Sequence, residues 1–230
     1  AFHVQGHLPN GDPREDPYVE DVQRGWNTLF TYAKPDTLTV QSAGDPDSDG
    51  DGIGIGIYAS DEAAVYESGL AMLALATTGS PTRVARTGPP AHVRGQTYYS
   101  IVQNMADWFA WGQNDPWSGV ARGGWRYQPN SGESDNSNTQ FPVLGLVAAE
   151  RNWGIAVPTW VKDELRDHWL AYTQDASGGF GYGEPGNWVN VGKTGAGIMD
   201  LAWTGVPVTD TRIIRASQFI EEHWDDEPDG

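Results

Sequence analysis

Apolar residues between positions 17 and 33 fall at Val19, Val22, Trp26, Leu29 and Phe30, the three-and-four spacing that gathers them on one face of a helix. Asp16 offers an N-cap, Pro17 a first helical residue that needs no N–H partner, and Glu20 an early acid. The next helical stretch, residues 61–78, has another character. Ala63, Ala64, Leu70, Ala71, Leu73, Leu75 and Ala76 leave it little polar face, which predicts burial on most sides, and Gly79 and Pro81 close it. The same alternation runs on down the chain. Thr97 caps an amphipathic helix with Ile101, Val102, Met105, Trp108 and Phe109 inward, and an Ala/Leu/Val helix follows over residues 138–151, tolerating Pro142 in its first turn. Pro158 and Thr159 open a helix with Val161, Leu165, Trp169 and Tyr172 inward, and a small-residue helix covers 191–203. Thr209 or Asp210 then starts a last one carrying Ile213, Ala216, Ile220 and Trp224. The first nine residues read as the tail of an earlier helix, and the glycine-rich residues 41–58 read as a loop.

The unit is thus an amphipathic helix, a glycine-aromatic turn, an apolar helix and a Gly/Pro connector. It is clearest over residues 119–158, where Gly123, Gly124, Trp125, Arg126 and Tyr127 form the turn and SGESDNSN follows as a polar run particular to this copy. A hairpin of this kind cannot bury its own apolar face, so stacking of successive hairpins is expected, with apolar helices in an inner ring and amphipathic ones in an outer ring.

Two outer helices end alike. Phe109 is followed after three residues by Gln113, and Leu170 after three by Gln174, which itself precedes Gly178, Gly179 and Phe180. This pattern resembles the QW motif of the squalene-cyclase and prenyltransferase repeat family. The resemblance implies an all-α fold, an α/α toroid of helical hairpins, here about four and forming an incomplete ring, in which each glutamine amide ties a helix end to the next turn. The copies differ from that motif: nine residues separate Gln113 from Gly123, Phe180 stands where tryptophan is usual, and the first copy, around Gln41, keeps little beyond glycines.

The family's catalytic groups do not carry over. Its cyclases use an Asp-x-Asp-Asp acid, and the nearest match, Asp47-Ser48-Asp49-Gly50, lacks the last aspartate and lies in a loop. Its protein prenyltransferases hold zinc partly through cysteine, and the related thioester domains need cysteine too; the chain has none. Nor is there a Gly-x-Ser-x-Gly elbow or a phosphate loop.

A net charge of −17 argues against nucleic acid or an anionic membrane surface as partner and favours cations. Local sequence sharpens this. In Asp45-Pro-Asp47-Ser-Asp49-Gly-Asp51-Gly, carboxylates at alternate positions converge when glycine permits a sharp turn, which makes Asp45, Asp47, Asp49 and Asp51 candidate Ca²⁺ ligands. Counted from Asp45 the twelfth residue is Gly56 rather than Glu, so the loop is not a full EF-hand. A second candidate is the mouth of the inner helices, where Trp125, Tyr127, Tyr182 and Trp188 come beside Glu67, Asp135, Asn138, Lys193 and Asp200. Aromatic faces with flanking carboxylates and amides suit a glycan. If Glu67, Asp135 and Asp200 share one cleft they supply acid and base, with His168 or Tyr182 as a further base; if they are caps and plugs, no catalytic centre exists there. His3 and His7 have the i, i+4 spacing of a metal pair but no evident third ligand.

The expectation is therefore one domain over residues 1–230, with an acidic Gly-rich loop at 41–58 and no membrane span. It reads as a non-catalytic structural or interaction module of an extracellular or cell-surface protein, Ca²⁺-stabilised and self-assembling with other chains. The alternatives are a carbohydrate-active lyase or hydrolase of toroid type and a terpenoid- or lipid-binding protein.

Overall fold

A computed structural model describes residues 5–226 of the chain. The first four residues of the expected helix tail, His3 among them, lie outside these. The described residues form helices α1 (Val19–Leu29), α2 (Ala64–Ala76), α3 (Tyr98–Gly112), α4 (Asn136–Trp153), α5 (Thr159–Glu164), α6 (Leu170–Thr173), α7 (Val191–Trp203) and α8 (Thr211–His223), with strands β1 (Ala33–Thr37) and β2 (Ile53–Ile57). A π-helical stretch, Leu165–Trp169, joins α5 to α6, so the two run on as one outer rod. α1 begins at Val19 after Tyr18, with no side-chain cap, rather than at Pro17 under an Asp16 cap, but four later helix starts follow local capping chemistry. Thr97, Asp135, Asn190 and Asp210 each accept a backbone N–H two or three residues on, which decides for Asp210 over Thr209 as the cap of α8.

The apolar helices make the central row. α2 packs along α4 and α4 along α7, while α3 touches both α2 and α4, and α8 packs on α7. One apolar core runs through the array from Val22 to Ala216, with Trp108, Trp125 and Trp169 at 0%, 0% and 1% exposure.

The fold is mostly helical but not all-α, and the correction lies at both edges of the supposed loop. α1 stops at Leu29, and after a tight turn over Phe30–Tyr32 the chain is extended from Ala33. Pro35 explains this, since its ring disfavours a helical conformation at Lys34. β1 pairs antiparallel with β2, Ala33 opposite Ile57 and Thr37 opposite Ile53. The strand signal in Ile53-Gly-Ile55-Gly-Ile57 is strict alternation: Ile55 and Ile57 are 0% and 2% exposed on one face. On the other, a Cβ at Gly54 would sit 2.7 Å from Leu38 Cδ2 and 3.0 Å from Trp108 Cβ. Glycine is needed because α3 lies directly on that face, and the Trp108 indole reaches past it to donate to Asp36 Oδ2 at 2.7 Å.

The hairpins repeat at the level of single hydrogen bonds. Gln113 Nε2 donates to the Gly123 carbonyl at 2.8 Å and to the Val161 carbonyl at 3.0 Å. Gln174 Nε2 donates to the Gly178 carbonyl at 3.0 Å and the Arg212 carbonyl at 2.8 Å. Each amide thus joins the end of an outer helix to its own turn and to the start of the next outer helix. Gly123 and Gly178 have φ of +84° and +99°, and a Cβ on either would run into the carbonyl of Glu164 or Arg215 in that next helix. A hydroxyl on each central helix pins the turn before it. Thr139 Oγ1 accepts the Trp125 N–H at 3.1 Å, Thr194 Oγ1 the Phe180 N–H at 3.1 Å, and Ser68 Oγ the Ile57 N–H at 3.0 Å. The first copy is therefore centred on Ile57 rather than around Gln41. The nine residues between Gln113 and Gly123 hold an extra tight helical turn, Pro116–Ala121.

Candidate metal centre

The acidic loop folds on its own carboxylates. Asp47 accepts the N–H groups of Gly50 and Gly52, both at 2.9 Å, Asp49 accepts that of Asp51 at 3.2 Å, and Asp51 that of Ile53 at 2.8 Å. Gly50 and Gly52, with φ of +80° and +73°, allow the reversals this needs. The outcome is that one carboxylate oxygen from each of Asp47, Asp49 and Asp51 lies within 4.8 Å of the other two. Asp45 is not in this cluster. Its carboxylate accepts the Asp47 N–H at 3.1 Å and its carbonyl the Trp160 indole N–H at 3.2 Å. Counted from Asp47, the loop places Asp at the first, third and fifth positions and Gly52 at the sixth, as an EF-hand does, and Tyr58 at the twelfth. The bidentate acid that finishes an EF-hand has no counterpart in the loop.

Helix α3 faces the loop with oxygen atoms that have no other use. Asn104 is 5% exposed; its Nδ2 donates to Asp51 Oδ2 at 3.1 Å while its Oδ1 has no partner. Asp49, Asp51 and Asn104 line one cavity of about 120 Å³ with His92, Gln96 and Ser100. One turn further along α3, Asp107 is fully buried, takes a 3.1 Å bond from Gln103 Nε2 on one oxygen and leaves Oδ2 unpartnered. Burial pushes its carboxyl up to about 7, against the opposing pull of the polar groups of Ser48 and Gln103 beside it. Asp49 is raised as well, by desolvation first and then by the neighbouring charges of Asp51 and Asp47. Crowded carboxylates and an orphaned amide oxygen form an all-oxygen donor set that fits a hard divalent cation.

The loop also ties several elements together. The Ser42 N–H donates to Asp115 Oδ2 at 3.2 Å, the Trp111 indole to Thr39 Oγ1 at 3.1 Å, and Trp160 of α5 holds Asp45 as above. Residues 38–52 therefore run as a strap across α3 to the start of α5.

The residues expected at the inner-helix mouth divide. Tyr127, Asp135, Tyr182 and Trp188 do gather, around Arg126, whose guanidinium lies 5.5 Å and 5.8 Å from the Tyr127 and Tyr182 ring centres and 3.5 Å from Asp135. The Tyr182 and Trp188 rings are 5.6 Å apart, and burial followed by the Asp135 charge raises the Tyr182 hydroxyl above its ordinary range. Trp125 is buried, its indole donating to the Phe109 carbonyl at 3.0 Å, so it is a plug. Asp135 is 0% exposed and spent on capping α4, where Asn138 also bonds to it. Glu67 accepts the Ala59 N–H at 2.6 Å, Lys193 contributes its backbone N–H to the Asn190 cap, and Asp200 is buried in α7, where desolvation raises its carboxyl well above normal. Of the histidines, His7 bonds to Asp16 at 2.9 Å. Sequence reasoning missed Asn104, Asp107 and Arg126. The available signal for the first two was a pair of polar residues three apart among the apolar positions of α3.

No described helix is long and apolar enough to cross a membrane. No family model matches the chain. No curated protein matches it either.

Proposed function

We propose that this chain is a non-catalytic structural or interaction module of an extracellular or cell-surface protein, an arc of α/α-toroid-like hairpins in which Ca²⁺ fastens the strap of residues 38–52 to α3. The reading rests on the convergence of Asp47, Asp49 and Asp51 beside the unpartnered Asn104 oxygen. The paired glutamine ties support the hairpin array, since the next outer helix completes each one. Against catalysis stand the buried positions of Asp135 and Asp200 and the backbone bond of Glu67, which leave no open carboxylate pair among these three. An acidic surface and oxygen ligands suit a medium where Ca²⁺ is abundant.

The test is thermal unfolding of chelator-stripped protein with and without Ca²⁺. At a hundred times Kd the ion contributes about 2.7 kcal/mol, a rise of roughly 5–11 °C for a domain of this size. Absence of any rise at millimolar Ca²⁺ would refute the reading. Light scattering of the Ca²⁺-loaded chain checks assembly, and a monodisperse monomer at all concentrations counts against it.

A further inference from the structure

A groove of about 310 Å³ lies between residues 118–121, 132–134 and 183–187, with Arg126 in its wall and Trp169 beneath it. Its volume is at the lower end for small-ligand sites. We infer that this groove, together with Trp188, is a binding site for a neutral glycan.

The polar groups facing it are strong and unspent. Arg126 lies near two tyrosine rings, and its Nε is 3.5 Å from Asp135 and 3.7 Å from Glu133, both beyond a good charge-assisted bond. Arg122 shows what a satisfied arginine looks like in the same region: it takes Glu164 in two bonds of 2.5 and 2.7 Å. Ser118 Oγ is buried in the groove wall with no partner. Glu184 and Asn187 share only a 3.4 Å contact and keep capacity for a ligand.

The loop that carries these two residues holds Trp188 in a costly way. Trp188 has φ of +48° and is 67% exposed. A bulky residue in the left-handed region is strained, and exposing an indole to water gains nothing for folding. The loop is nonetheless well fixed, since Tyr182 N–H donates to the Asn187 carbonyl at 2.7 Å and places the two rings side by side. Strain spent on presenting an aromatic face is understandable if the face stacks on something.

Charge decides what. With Arg126 opposed by Glu133, Glu184 and buried Asp135, the site is net negative, which repels phosphates and uronates. An apolar ligand would strand the guanidinium, carboxylates and amide. A sugar ring offers an apolar face for Trp188 and hydroxyls that both donate and accept, matching Glu133 and Glu184 on one hand and Arg126 and Asn187 on the other.

The experiment is calorimetric titration of the Ca²⁺-loaded chain with neutral oligosaccharides of glucose, mannose, galactose and N-acetylglucosamine, and with oligogalacturonate as the acidic comparison. At least one neutral oligomer should bind with Kd below about 10 mM, and Trp188→Ala and Arg126→Met should each weaken it about tenfold or more. Trp188→Gly should lose binding equally while unfolding at the same or a higher temperature, because glycine relieves the strained φ. Trp224→Ala, an exposed tryptophan just past the end of α8 and outside the groove lining, should bind as the parent does. Silence across the neutral panel, preference for oligogalacturonate, or binding indifferent to Trp188→Ala would each overturn the inference.

Discussion

Replacing Gln113 by methionine removes the amide while keeping the length of the side chain. Gln113 is 2% exposed, and its Nε2 serves the Gly123 and Val161 carbonyls at 2.8 and 3.0 Å. Each bond contributes about 0.5–1.5 kcal/mol net, and the Gly123 carbonyl left dry costs about 1–3 kcal/mol while the Val161 carbonyl keeps the Leu165 N–H, so the loss is about 2–4 kcal/mol. For a domain of this size that lowers Tm by roughly 4–16 °C. Gln174→Met breaks the equivalent pair, at 3.0 and 2.8 Å, but that side chain is only partly buried and water can reach its carbonyls. Its cost should be about 1–2 kcal/mol. Urea unfolding of the two variants and of the double variant, followed by far-ultraviolet circular dichroism, measures both losses. The two ties share no residue, so they should add to within about 0.5 kcal/mol. A loss under about 0.5 kcal/mol for Gln113→Met, or a larger loss for Gln174→Met, would refute the idea that buried glutamine ties hold successive hairpins in register.

Other outcomes follow from the same structure. Asp49→Asn and Asp51→Asn should each abolish most of the Ca²⁺-dependent rise in Tm, whereas Asp45→Asn should retain it, because only the first two belong to the converging cluster. Asn104→Leu should weaken Ca²⁺ binding by about 10-fold or more in calorimetry, while an unchanged affinity would remove α3 from the site. Burial raises the Asp200 carboxyl in the folded chain, so the native state holds that proton more tightly than the unfolded state does. Stability therefore falls, by at most about 1.4 kcal/mol per pH unit, as pH rises from the unfolded value near ~4. Asp200→Asn should flatten this slope, and parallel pH–Tm curves for variant and parent would contradict it. Gly54→Ala should cost about 1–3 kcal/mol by overpacking against Leu38 and Trp108, whereas Gly25→Ala, with open space around it in α1, should gain about 0.5–1 kcal/mol; calorimetric Tm values read both.

The local order of the chain was legible without coordinates because it rests on short-range chemistry. Helical spacing and caps such as Thr97 and Asp210 act within a few residues and stand where the pattern put them, and the glutamines at 113 and 174 mark the helix ends although their second partners, Val161 and Arg212, lie far along the chain. The hairpin Ala33–Thr37 with Ile53–Ile57 was hidden because its glycines look like loop residues until Trp108 is known to lie on them. The metal loop could be read as an acidic, turn-forming segment, but Asn104 and Asp107 are 53 and 56 residues beyond Asp51, and nothing local joins them to it. Only the packing of α3 on β2 brings those oxygens to the loop. The same holds for the aromatic mouth. Composition collected tryptophans, tyrosines and carboxylates into one imagined site, and tertiary structure separated them. It buried Trp125, Asp135 and Asp200 as plug, cap and core, left Trp188 facing water on a strained backbone, and introduced Arg126 near two rings. Sequence thus determined which residues can cap, turn and pack. Burial, which depends on every neighbour at once, decided which polar groups remain free to bind.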